Sequence, residues 1–163
     1  MLEGIKIRSL DRTADERGFF TEIMRRDWAS EEIAQANFSI SYPKVVRAWH
    51  HHLKGQVDYF VVLKGALKIC AYDSETKELD EIVSTGKNLQ VVRIPGHYWH
   101  GFKVVGNKQA YLTYFVNRLY DYANPDEGRR AWNDETIVPK IINGRTDDER
   151  CNRPWDWFYS AYK

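Results

Sequence analysis

The sequence predicts an all-β domain, an antiparallel barrel or sandwich, and three observations carry that reading. From Gln35 to Asn117 short apolar-rich runs recur, each closed by a turn signal, with no helical pattern between them. Before the C-terminal region only Ser30, followed by Glu31, Glu32 and Ile33, begins like a helix, and it predicts one short peripheral helix. No glycine-rich phosphate loop of the dinucleotide or NTPase type follows a strand, which excludes those α/β domains.

Taken in order, Leu2–Leu10 alternates enough to form a strand and ends in a charged turn, Asp11–Glu16. Gly18 leads into a second strand candidate, Phe19–Met24. Gln35–Ser41 is more informative: Ala36, Phe38 and Ile40 share one face, and Gln35, Asn37, Ser39 and Ser41 the other. That polar face is either solvated or lines a cavity, where amides and hydroxyls read a sugar or a base by hydrogen bonds. Strands are then predicted over Val57–Leu63, Ala66–Tyr72, Leu79–Val83, Leu89–Ile94, Tyr98–Val105 and Ala110–Asn117. The tail from residue 118 is polar and proline-punctuated, with Trp132, Trp155 and Trp157 expected to pack on the barrel or on a partner subunit. The whole chain, 1–163, reads as one domain with a core over about 35–117 and a docking tail over about 118–163.

Composition narrows the class. A hydrophobic content of 43%, 29% charged residues and a net charge of +1 describe a globular protein without a nucleic-acid or membrane surface. A local anion site needs only one or two arginines and stays open. Cys70 and Cys151 stand far apart in no C-x-x-C spacing, as expected of single thiols in a reducing compartment. Glu3 and Lys6 interrupt the N-terminus, so no signal peptide is expected, and a cytoplasmic protein is the default.

Histidine is sparse and clustered. Of five, three are His50, His51 and His52, and two, His97 and His100, lie in I-P-G-H-Y-W-H-G-F. Imidazole moves protons near neutrality or holds a metal. His50-x-His52 with Asp58 and Gly65, and Pro95-Gly96 with His100, resemble the two motifs of the cupin barrel, with aspartate where glutamate is usual. In metal-binding cupins such residues converge on one ion, so His50, His52, Asp58 and His100 form one possible ligand set. His51 and His97 are expected to be exposed or packing residues.

A second resemblance spans about Asp15–Trp132. D-E-R-G-F-F-T-E (Asp15–Glu22), Q-A-N-F-S-I-S (Gln35–Ser41), V-V-R-A-W-H (Val45–His50), K-G-A-L-K-I-C-A-Y-D (Lys64–Asp73), I-P-G-H-Y-W-H-G-F (Ile94–Phe102), the Tyr114 strand, Tyr120 and Trp132-Asn133-Asp134 come in the order of the dTDP-4-dehydrorhamnose 3,5-epimerase family. The resemblance implies a metal-free, cofactor-free, cupin-like jelly roll, homodimeric, acting on a nucleotide-diphosphate sugar. It implies His50 as the base that takes a proton beside the 4-keto group and Tyr114 as the acid on the opposite face. Asp148 is the candidate for the aspartate that orients the base, with Asp147 not excluded. Arg17 and Arg47 match diphosphate contacts, and Phe20 and Glu22 match nucleotide contacts. Gln35, Asn37, Gln56, Asp58, His100 and Tyr120 complete the implied substrate-facing set.

The residue types suit that chemistry. A base with an unperturbed pKa of about 6.5 is poised at neutral pH, and a phenol of about 10 stays protonated to donate. One departure matters: the family's enolate-steadying lysine is Asp58 here. A carboxylate about 4 Å from a developing oxyanion would repel it by roughly 4 kcal/mol at an effective dielectric near 20. Asp58 is therefore expected to be protonated, turned toward His52, or compensated by Lys54, Lys68 or Lys103, unless the substrate lies differently or a metal supplies charge. Arg47 and His50, three apart, share a site only through a bulge or twist, or if the arginine serves a neighbouring subunit.

Overall fold

The computed structural model describes residues 1–160. Thirteen strands occur among them: β1 (Lys6–Ser9), β2 (Thr13–Asp15), β3 (Gly18–Phe20), β4 (Gln35–Ser41), β5 (Val46–His51), β6 (Val57–Lys64), β7 (Ala66–Tyr72), β8 (Glu78–Thr85), β9 (Gln90–Pro95), β10 (Trp99–Val104), β11 (Ala110–Val116), β12 (Gly128–Arg129) and β13 (Ile141–Ile142). They form one sheet in the order β1-β9-β6-β11-β4, a second in the order β12-β5-β10-β7-β8-β13, and a separate β2-β3 hairpin.

Two expectations need correction. The sheets are not closed into a hydrogen-bonded barrel. The outer strands of the second sheet are each capped over two residues by a short strand from the tail, β12 on His50–His51 of β5 and β13 on Glu78–Leu79 of β8. Nor is there an α-helix among the described residues. At Ser30–Ile33 the groups that would start one are engaged elsewhere. The Ser30 amide donates to the Tyr59 hydroxyl, and the Glu31 carboxylate is taken by Arg93 and Tyr59. The four residues between Ser30 and β4 are also too few to repay helix nucleation.

The strand series itself matches the predicted one, with ends shifted by a residue or two. Exceptions are Phe19–Met24, where only the first two residues are in β3, the N-terminal strand, which shortens to β1, the predicted turn Asp11–Glu16, which contains β2, and the tail, which adds β12 and β13. β6 is buried on both faces because two apolar clusters meet at it, one on each side. Phe60 and Val62 face inward with Leu67, Ile69, Val92, Phe102, Val104 and Leu112. Val57, Tyr59 and Val61 face outward under Ile23, Met24, Trp28 and Ile33. The tail covers the outside of the second sheet, where Ile137, Trp155 and Trp157 pack on Trp49, Cys70, Tyr72 and Leu79. Both cysteines are free and buried, and among the described residues no helix is long and apolar enough to cross a membrane.

Between the sheets each central strand changes character along its length. Inward positions run Asp58, Phe60, Val62 on β6, His100, Phe102, Val104 on β10, and Tyr114, Leu112, Ala110 on β11. The polar ends point one way and the apolar ends the other. One end of the sandwich is therefore a packed core, and the other is left for a polar cavity.

Candidate active site

That polar end holds a cavity of about 630 Å³, within the range of small-molecule sites. The alternation read from β4 places Gln35, Asn37 and Ser39 on its wall, while Phe38 and Ile40 face outward and remain exposed. Gln35 is fixed by donating to Asn37 Oδ1 at 2.8 Å and accepting from the Tyr120 amide at 3.0 Å.

Strand β5 brings His50 and Arg47 to the same cavity through a shift in register. His50 lies opposite His100, whereas Arg47 lies opposite Phe102, so three residues of β5 span two of β10. Gly101 makes room for this: a Cβ there would sit 2.3 Å from Ala48 Cβ and 2.6 Å from the Arg47 carbonyl. The third-residue problem is thus solved within one chain. His51 points away and stacks on Trp99 at 4.0 Å.

The imidazoles gather on the second sheet. The rings of His50 and His100 are 6.5 Å apart, and those of His52 and His100 are 5.5 Å apart. Asp58 lies between the last two: its Oδ2 is 3.3 Å from His100 Nε2 and 3.8 Å from His52 Nε2. Gln56 donates to Asp58 Oδ1 at 3.2 Å and also sits 3.2 Å from His52 Nε2. The Asp58 carboxylate is therefore turned to the histidines. None of the lysines that might have compensated lines the cavity. Lys54 donates to the Asn124 carbonyl, Lys103 to the Trp157 carbonyl, and Lys68 lies over Trp155.

Electrostatics give the histidines different characters. His50 is pulled below the ordinary imidazole value by burial and then by His100, which keeps it neutral and able to accept a proton. Burial also opposes charge on His100, but the Asp58 carboxylate outweighs it and raises the pKa above the ordinary value. His100 Nδ1 donates to the Tyr98 carbonyl at 2.9 Å, so a proton on Nε2 as well makes an imidazolium facing Asp58. The Asp58 carboxylate thus favours a positive charge on His100, beside the negative one that the Asp58 departure brings. Tyr114 comes from the facing sheet, its ring 5.7 Å from that of Phe60. Burial and the Asp58 carboxylate push its phenol up, so it stays protonated.

One donor atom each from His52, Asp58 and His100 lies within 4.8 Å of the others, a set a divalent cation would fit. His50 is not part of that group.

Of the residues named from sequence, His50, Tyr114, Gln35, Asn37, Arg47, Gln56, Asp58, His100 and Tyr120 all line the cavity. Arg17 and Phe20 do not: they sit on the exposed β2-β3 hairpin, where Arg17 pairs with Asp15. Glu22 pairs with Arg25 on the surface. Asp148 is also outside the cavity. Its carboxylate accepts from Arg150 at 2.8 and 2.9 Å, and Arg150 in turn holds Glu81 at 2.6 Å. The carboxylate beside His50 is Glu127, with Oε1 3.8 Å from Nε2. Glu127, Arg118, Tyr122 and Arg129 are lining residues that the sequence reading passed over in the polar tail.

Fold and site together define a cupin-like β-sandwich with a polar, histidine-lined cavity at one end. The chain belongs to the polysaccharide biosynthesis C-terminal domain family, which matches residues 13–127. It is 44% identical over 135 residues to the probable low-salt glycan biosynthesis epimerase Agl13 of Haloferax volcanii, covering 78% of this chain and 86% of that protein. It is 36% identical over 143 residues to the spore coat polysaccharide biosynthesis protein SpsL of Bacillus subtilis, covering 84% and 94%. Its fold is that of the dTDP-4-dehydrorhamnose 3,5-epimerases. The dTDP-6-deoxy-D-glucose-3,5-epimerase of Legionella pneumophila, solved with dTDP-4-keto-L-rhamnose, superposes with a TM-score of 0.73 at 24% identity, over 83% of this chain and 77% of that one.

Proposed function

We propose that the protein is a nucleotide-sugar epimerase, inverting C3, C5 or both of a dTDP-4-keto-6-deoxy-hexose without a cofactor. The observation that carries this reading is that His50 from one sheet and Tyr114 from the facing sheet line the same cavity. His50 takes the proton from the carbon beside the ketone, and electrons move onto the keto oxygen. Tyr114 returns a proton to that carbon from the other side, and the carbonyl re-forms. His50 then loses its proton to solvent and Tyr114 regains one. The His100 imidazolium supports the enolate electrostatically, while Arg47, Gln35, Asn37 and Tyr120 hold the sugar nucleotide.

The reading includes a cytoplasmic homodimer. Phe38 and Ile40 on edge strand β4, and Phe19 and Phe20 on the hairpin, leave apolar surface uncovered on a single chain. In a dimer the hairpin would bring Arg17, Phe20 and Glu22 to a partner's cavity, where the contacts implied by the resemblance make sense.

Solvent deuterium incorporation into a small panel of dTDP-4-keto sugars tests the activity. His50→Asn is expected to abolish exchange while leaving nucleotide binding within about threefold; exchange retained in that variant rules His50 out as the base. The His52–Asp58–His100 group supports a second reading, a metal-dependent enzyme. A stoichiometric ion in the purified protein, with exchange lost to a chelator, would establish it over the metal-free one.

A further inference from the structure

One buried acceptor in the cavity wall lacks a donor. The Asp58 backbone is locked in β6 between Ile94 of β9 and Val116 of β11, and its side chain lines the cavity with only 4% of its surface exposed. Oδ1 accepts from the Gln56 amide at 3.2 Å. Oδ2 has no hydrogen-bond partner among the described residues. The neighbouring imidazoles do not fill that place. His52 Nδ1 donates to the Asp126 carbonyl, and its Nε2 accepts from the same Gln56 nitrogen at 3.2 Å, so it has no proton for Oδ2, 3.8 Å away. His100 Nε2 lies 3.3 Å from Oδ2, an ion-pair contact outside hydrogen-bond alignment. A buried carboxylate oxygen without a donor is costly. Water can serve it in an empty cavity, but a sugar that displaces the water must bring the donor itself.

We propose that Asp58 is a specificity-determining residue that accepts a hydrogen bond from the hydroxyl beside the substrate's ketone, so that the pocket selects 3-hydroxy over 3-deoxy sugar nucleotides. Placing the ketone at His100 rests on the epimerase reading; the orphaned acceptor does not. His100 Nε2 meets the keto oxygen as donor, and Asp58 Oδ2, 3.3 Å away, is the acceptor next to it. That pairing matches two oxygens on neighbouring carbons, the pattern of an α-hydroxy ketone. In a 4-keto pyranose only C3 offers such a hydroxyl, because C5 carries the ring oxygen and C6. The departure from lysine at this position thus exchanges enolate support for substrate reading, and His100 is left to meet the oxyanion. A 3-deoxy sugar would strand the buried oxygen, and sites built for a hydroxyl strongly reject ligands that lack it.

The test uses the full chain and two probes, dTDP-4-keto-6-deoxyglucose and its 3-deoxy analogue, both of which keep hydrogens on the carbons beside the ketone. Wild type is expected to favour the 3-hydroxy sugar by about a hundredfold in kcat/KM for deuterium exchange. In Asp58→Ala that ratio is expected to fall to within about threefold. The ratio is read because losing Asp58 also weakens the charge on His100, which slows both probes alike. Asp58→Asn, whose amide oxygen still accepts, should recover part of the preference, and unchanged dTDP affinity guards against a folding defect. Calorimetry of the same two probes reads the preference as binding, without turnover. A ratio near one in wild type, a ratio that survives Asp58→Ala, or a preference that a chelator removes would overturn the proposal, the last by giving Oδ2 to an ion. If wild type exchanges neither probe, yet binds the 3-hydroxy sugar more tightly and loses that preference in Asp58→Ala, the hydroxyl contact stands and the epimerase reading falls.

Discussion

At the scale of single residues, the site depends on two imidazoles with opposite tendencies 6.5 Å apart. In the proposed mechanism His50 must be neutral to act as the base, and burial together with His100 lowers its pKa. Protonation therefore silences it only at pH below the ordinary histidine value of about 6.5. The acid limb of kcat/KM for exchange is expected there, and a limb above about 7 would assign the base to another group. Much of this constellation was legible because histidine is rare in the chain and its positions fall in ordered motifs. Asp148 was misplaced because an acid near the C-terminus carries no sign of which cation will claim it, and Arg150, two residues on, does. Glu127 stayed hidden in N-P-D-E-G-R-R, a stretch whose composition reads as loop. Its one signal was Gly128, which lets the loop lie against His51.

At the scale of elements, periodicity was the reliable guide. Gln35–Ser41 showed both its faces in the sequence because one is polar and one apolar, and it is β4 from end to end. The Ser30 segment misled for the converse reason, because its capping signals are spent on tertiary partners. Glu31 binds Arg93 and Tyr59 and so fastens loop 21–34 over the first sheet. Burial acts to raise the Glu31 pKa, but Arg93 and Tyr59 outweigh it and lower it. Its contribution to stability is thus present above the unfolded carboxylate value of about 4.3 and is lost as pH falls through the lower folded value. Urea denaturation should find Glu31→Gln less stable than wild type at pH 7, by about 1–3 kcal/mol, and the gap should close at acid pH. A gap that persists at pH 2 would mean the ion pair is not its source.

At the scale of the molecule, the tail and the N-terminal loop supply the outer layers that let both sheets be buried. Which surfaces a partner covers was not legible, because Phe38 looks the same in sequence whether it meets solvent or another subunit. For the proposed homodimer, Phe38→Asp places a charge on the exposed β4 face and is expected to shift the protein to monomer in sedimentation experiments. An unchanged association state would move the interface elsewhere.

The change from polar to apolar positions along β6, β10 and β11 also makes the sandwich a cul-de-sac. A ligand enters and retreats through one doorway, so the spent molecule must back out before the next arrives. Product and substrate are therefore expected to compete for the same passage, which product-inhibition kinetics would reveal.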